Sequence, residues 1–97
     1  MEVLGTLDGK SAAAHLDARA AAFAEGALPA KYKLLAALAA AVALDSTPCI
    51  MNNIQGAMKS GASKAEIMET IAVAKFAKSA TVVSTAAPAL EWLVGQA

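Results

Sequence analysis

One cysteine, one histidine, one tryptophan and one tyrosine occur among 97 residues. A lone cysteine excludes an internal disulfide framework and a thiolate cluster built within one chain. With a single histidine beside it, an intrachain zinc site has too few ligands. No metal and no cofactor is therefore expected. Charge is also scarce: eight Lys/Arg balance eight Asp/Glu. No run of like charge exceeds two. The basic stripe that displaces counterions from a phosphate backbone is missing, so nucleic acid is not an expected partner. Long hydrophobic runs are missing too. The longest, Leu34 to Leu44, has 11 residues, against the roughly 20 that a membrane span requires. The opening MEVLGTLDGK lacks the charged start and apolar core of a signal peptide. The expectation is a soluble, cytoplasmic protein with no membrane partner.

What the chain has in abundance is alanine, 27 residues of 97. Apolar types reach 58%, above the roughly 45–50% of ordinary globular chains. Length and composition suit one domain over residues 1–97. A chain this short buries only about 60–65% of its surface alone. An oligomer that completes its core with copies of itself is expected.

Clean two-residue alternation is absent and helix punctuation is frequent, which predicts an all-α fold of five to six short helices. The first spans about Ser11 to Glu25, stopped by Gly26 in a left-handed conformation. Its Ala14, Ala18, Ala21 and Ala22 give a small-sided face. The second starts near Pro29 and runs to Leu44. It is apolar nearly all round after Lys33, as a central buried helix is. Asp45-Ser46-Thr47-Pro48 reads as a stop and restart, with Ser46 or Thr47 as cap and Pro48 in the first turn. That third helix reaches about Ser60, and Gly61 ends it. Ile50, Ile54, Ala57 and Met58 mark its apolar face, beside a stripe of Cys49, Asn52, Asn53 and Gly56. Ser63 and Glu66 form a capping box for a fourth helix, about Lys64 to Lys78. A last helical region covers Ala80 to Val94, which Pro88 should kink or split. Met51, Met58 and Met68 are expected to fill gaps between Ala-rich helices. Trp92 and Tyr32 are expected to anchor packing or a subunit contact.

The segment that can carry chemistry is Ser46 to Asn53. Cys49 falls in the first turn of a helix, where free backbone donors and the positive dipole end favour a thiolate. Asn53 lies one turn on, so its amide shares a face with the sulfur. Ser46 offers a hydroxyl three residues before it. The plain alternative makes Cys49 a small buried hydrophobe, Ser46 a cap, and the two asparagines surface or interface residues. His15 and Arg19, one turn apart on the first helix, read as a solvated face; the alternative is entry into a site.

The runs LPAKYKLLAALAAAVALDSTPCI and AMKSGASKAEIMETIAVA resemble the carboxymuconolactone decarboxylase family, which includes alkylhydroperoxidase D-like proteins. The resemblance covers Leu28 to Leu93. It implies an all-α fold assembled as a trimer or as a hexamer, a trimer of dimers. It also implies peroxide-reducing, antioxidant chemistry with two cysteines, a histidine four residues after the second and a glutamate twelve before the first. By position the second cysteine is Cys49. The first becomes Ser46, the histidine Asn53 and the glutamate Leu34.

Each departure has a consequence. Ser46 cannot close a disulfide with Cys49. Asn53 cannot shuttle a proton near neutral pH, since an amide does not titrate there. Leu34 cannot act as a general base, and losing one proton-transfer group typically forfeits about 10²–10⁴ in rate. Whether the chain is an enzyme is therefore open, and three functions stand. The first is a one-cysteine thiol protein in which Cys49, flanked by Ser46 and Asn53, meets a peroxide or an external thiol. The second is a non-catalytic oligomer that binds a small-molecule ligand or a protein partner. The third is a decarboxylase acting on a small lactone carboxylate, with Lys31 or Lys33 of a neighbouring copy as one source of positive charge.

Overall fold

In a computed structural model, residues 8–97 are described, and these residues form four helices and no strand. They are α1 (Gly9–Phe23), α2 (Ala30–Ala43), α3 (Thr47–Lys59) and α4 (Lys64–Val94). Residues 1–7, which begin the segment read for a leader, lie outside the described residues.

Local chemistry sets most boundaries. Asp8 caps α1 by accepting a 2.8 Å hydrogen bond from the Ser11 backbone N–H, which also holds its carboxyl below the ordinary value. α1 ends at Phe23 and passes through an extended Ala24. The expected end at Glu25 is thus two residues too late, and Gly26 is not left-handed. Side chains make this turn instead. Lys33 Nζ donates to the Ala24 carbonyl at 2.6 Å, and Glu25 Oε1 accepts from the Ala30 N–H at 3.2 Å. Between α2 and α3, Asp45 takes a left-handed φ of 57°, and Lys78 of α4 grips its carboxylate. Ser46 occupies the cap of α3 with φ −91° and ψ 86° but makes no side-chain capping bond. Pro48 lies in the first turn, as its spacing predicts. Gly61 closes α3 with φ 98°.

The capping box that opens α4 is formed on both sides: Glu66 N–H donates to Ser63 Oγ at 3.1 Å, and Ser63 N–H to Glu66 Oε1 at 2.9 Å. Lys31 Nζ of α2 adds a 3.0 Å ion pair to Glu66 Oε2. From there α4 runs unbroken for 31 residues, about 46 Å at 1.5 Å per residue. The expected five to six helices become four among the described residues, because the fourth and fifth are one. Ser79 and Ala80 contain no breaker. Pro88 forgoes a bond to the Ser84 carbonyl without splitting the helix.

α2 touches all three other helices, the central position its apolar circumference predicts. Leu34 and Leu38 of α2, Ala57 of α3, Ala62 of the α3–α4 turn and Ile67 of α4 form the core. Phe23, Leu35, Ile50, Ile54 and Ile71 pack around it. Leu38 is fully enclosed, a burial of about 1.5–3 kcal/mol for a leucine. Leucines, isoleucines and small alanines fill this core, and the expected gap-filling Met51, Met58 and Met68 stay exposed, as do Tyr32 and Trp92. The molecule is elongated, 60 × 36 × 24 Å with a radius of gyration of 18.0 Å. A compact chain of this length has about 12–13 Å. The C-terminal half of α4 accounts for much of the difference, since no buried residue lies beyond Ala74.

Candidate functional site

Cys49 stands in the first turn of α3, half-buried. It opens on a cavity of about 460 Å³ lined by His15, Ala18, Arg19, Phe23, Ala37, Cys49, Asn52 and Asn53. That volume lies in the range of small-molecule pockets, about 300–1,000 Å³. Three helices build it. α1 contributes His15, Ala18, Arg19 and Phe23 at spacings of three and four, one face of a helix. α2 contributes the small Ala37. α3 contributes Cys49, Asn52 and Asn53.

The polar groups in this wall differ in how they are held. Asn53 is 8% exposed, and none of the side-chain hydrogen bonds among the described residues engages its amide. No fully enclosed side-chain nitrogen or oxygen is left without a partner. The Asn53 amide therefore opens on the cavity and has donor and acceptor capacity to offer there. The Arg19 guanidinium sits 4.7 Å from the centre of the Phe23 ring, a cation–π contact that steadies an otherwise exposed side chain. His15 is exposed and lies one turn before Arg19 on the same face.

Of the residues expected at the site, Cys49 and Asn53 come together. Ser46 is half-buried at the cap of α3 and is not among the cavity's lining residues. Leu34, where the resemblance implies an acid, is buried in the core and does not open on the cavity. His15 and Arg19 are solvent-exposed and also form one cavity wall. Lys31 and Lys33 are engaged elsewhere, with Glu66 and the Ala24 carbonyl. Phe23 and Ala37 carry no chemistry that sequence reasoning could single out. The available signal for Phe23 was its place four residues after Arg19.

A family model for the carboxymuconolactone decarboxylase family matches residues 10–92. The chain belongs to this family. No curated protein and no solved structure matches it. The match takes in α1, so His15 and Arg19 lie within the family domain together with Cys49. The chain's polar groups at the cavity come from two helices. Among the described residues, its one imidazole reaches the cavity from α1, and the α3 position next to the thiol carries an amide.

No helix of the described residues is long and apolar enough to cross a membrane.

Proposed function

We propose that this family member is a one-cysteine thiol redox protein that reduces peroxides at Cys49, with His15 as its proton carrier. The observation that carries this reading is the shared cavity wall of Cys49, His15 and Arg19. An imidazole both accepts and donates a proton near neutral pH, and a guanidinium is a fixed positive charge with several N–H donors to offer.

The chemistry balances without a second cysteine in the chain. His15 takes the thiol proton. The thiolate attacks the distal peroxide oxygen, the O–O bond breaks, and Cys49 becomes a sulfenic acid. His15 returns its proton to the departing alkoxide, which leaves as an alcohol. An external thiol then attacks the sulfenic sulfur, releasing water and leaving a mixed disulfide. A second external thiol frees Cys49 and departs as a disulfide. The apolar part of the wall, Ala18, Phe23 and Ala37, suits an organic hydroperoxide, and Asn53 offers its amide to the peroxide oxygens. A cycle that draws on external thiols needs a reducing compartment, so the reading assigns the chain to the cytoplasm. It also takes the chain as a homo-oligomer of the family's three- or six-copy kind, for which the exposed apolar surface is the support.

The test is hydroperoxide consumption with excess dithiol, together with trapping of the sulfenic acid by dimedone. Wild type should turn over and carry the adduct on Cys49, and Cys49→Ser should do neither. Equal consumption by Cys49→Ser would overturn the reading. The buried apolar Leu34 favours a second reading, a ligand-binding member without catalysis. Absence of turnover, with saturable binding of a small organic acid at the cavity, would select it.

A further inference from the structure

The peroxide chemistry at Cys49 leaves one charged group of its cavity unused. The lining residues include one guanidinium, one imidazole and no carboxylate. Among the described residues the ion pairs join Lys31 to Glu66 and Lys78 to Asp45, so no acid there neutralises Arg19. Exposed and lining the cavity, Arg19 stands at its mouth. Its guanidinium lies 4.7 Å from the centre of the Phe23 ring, so part of its freedom is lost before any ligand arrives. A second polar group points the same way. Asn53 is 8% exposed, faces the same cavity and finds no side-chain hydrogen bond among the described residues. A cavity of about 460 Å³ with a placed cation, a nearly sealed amide and no acid has the chemistry of a site for a small anion.

Two kinds of molecule meet Cys49 in one turnover, a hydroperoxide and then a thiol. The apolar wall of Ala18, Phe23 and Ala37, with the Asn53 amide, suits the first. A hydroperoxide group is neutral and gives the Arg19 charge no counterpart. The thiol is the reactant still without a recognition element. It also has to enter the cavity, because Cys49 is half-buried on the wall. A small molecule does so directly, whereas a folded protein has to bring its sulfur in past the exposed His15 and Arg19 side chains.

Resting on the thiol reading of Cys49, we propose that Arg19 selects the reductant: it holds the carboxylate of a small thiol acid while that molecule's sulfur reacts at Cys49. A planar guanidinium offers paired N–H donors to the two carboxylate oxygens. The thiol sulfur bonds to Cys49 Sγ as the S–O bond of the sulfenic acid breaks, and the hydroxyl leaves with the thiol proton as water. A second thiol acid attacks the outer sulfur of the mixed disulfide. The Cys49 sulfur leaves and takes up that molecule's proton, and the small disulfide departs. Two thiols are oxidised to one disulfide, and one hydroperoxide is reduced to an alcohol and water.

Two disulfide reagents separate recognition from peroxide chemistry. The reduced full chain is mixed with dithiobis(nitrobenzoate), which carries two carboxylates, or with neutral dithiodipyridine. Each releases an absorbing product as Cys49 forms a mixed disulfide. Arg19→Gln should slow the anionic reagent about tenfold, the order expected for one hydrogen-bonded charge, and hardly alter the neutral one. Lys10→Gln, on the opposite face of α1, should leave both rates as they are. In steady state with cumene hydroperoxide, Arg19→Gln should lower kcat/KM for mercaptopropionate about tenfold. The rate with mercaptoethanol and the rate of sulfenic acid formation should hold. Equal slowing of both disulfide reagents would overturn the proposal, as would a loss confined to sulfenic acid formation or a protein dithiol outpacing mercaptopropionate. Charge preference at Cys49 without hydroperoxide turnover would remove the peroxide reading and sustain Arg19 as the carboxylate contact of the thiol reaction. Turnover without charge preference would do the reverse.

Discussion

Leu34 packs directly over Gly56: a Cβ at position 56 would lie 3.2 Å from Leu34 Cδ2. α2 and α3 meet through this pair, and Leu34 is where the sequence resemblance implies an acid. The close approach is possible because Gly56 has no side chain. Leu34 is therefore embedded in the packing. Leu34→Ala should cost about 2–5 kcal/mol by leaving a cavity. Leu34→Glu should destabilise the fold as well, because a carboxylate buried without a partner is costly, and it should not raise peroxide turnover. Chemical denaturation of the two variants, with a turnover assay on each, checks both statements. A stable, more active Leu34→Glu would contradict this account of the packing.

His15→Gln keeps a polar side chain on α1 but cannot carry a proton. Hydroperoxide reduction should fall by about 10²–10⁴, the usual worth of one proton-transfer group. Thermal stability should be unchanged, because α1 has no buried residue. The pair of measurements separates a chemical role from a structural one, since a lower melting temperature with unaltered turnover would assign His15 to folding.

The ion pair between Lys31 and Glu66 gives stability a pH window. Hydrogen bonding by the Ser63 backbone N–H, and then by Lys31, holds the Glu66 carboxyl below its ordinary value of 4.5. A depressed acid contributes stability above its unfolded value and loses it as pH falls through the folded one. The bond to Glu66 holds Lys31 above its ordinary 10.5. That contribution is complete below 10.5 and lost as pH rises through the folded value. The melting temperature should be level between these limits and decline outside them. Glu66→Gln should flatten the acid limb, and an unchanged acid slope would rule out this pair as its source.

Pro88 sits in the interior of α4, where proline costs about 3 kcal/mol relative to alanine. Pro88→Ala restores a donor to the Ser84 carbonyl. Amide exchange should slow for residues 84–94 and hardly change in α2. Exchange left as fast as in wild type would mean that the proline does not limit this part of the helix.

The sequence was most legible where one residue decides one bond. Ser63 and Glu66 form their reciprocal cap as the spacing requires, Pro48 takes the first turn of α3, and the uniformly apolar α2 is the central helix. It was least legible where outcomes depend on neighbours. Gly26 has the chemistry of a left-handed stop, but Lys33 and Glu25 make that turn instead. Pro88 reads as a break, yet eight helical residues before it, starting at Ala80, and six after it leave a single helix. At the site, the placement of Cys49 and Asn53 on one face follows from their i, i+4 spacing. The arrival of His15 and Arg19 beside them depends on how α1 folds back over α2, which no local pattern encodes.

The undivided length of α4 also sets how firmly its two ends are held. Its first three turns lie on the bundle and share the bundle's cooperative unfolding, whereas the last four have only their own backbone bonds in a single chain. Dilution should therefore loosen the rod from its tip inward, and a protease given dilute protein should trim residues near Trp92 well before it cuts inside α2.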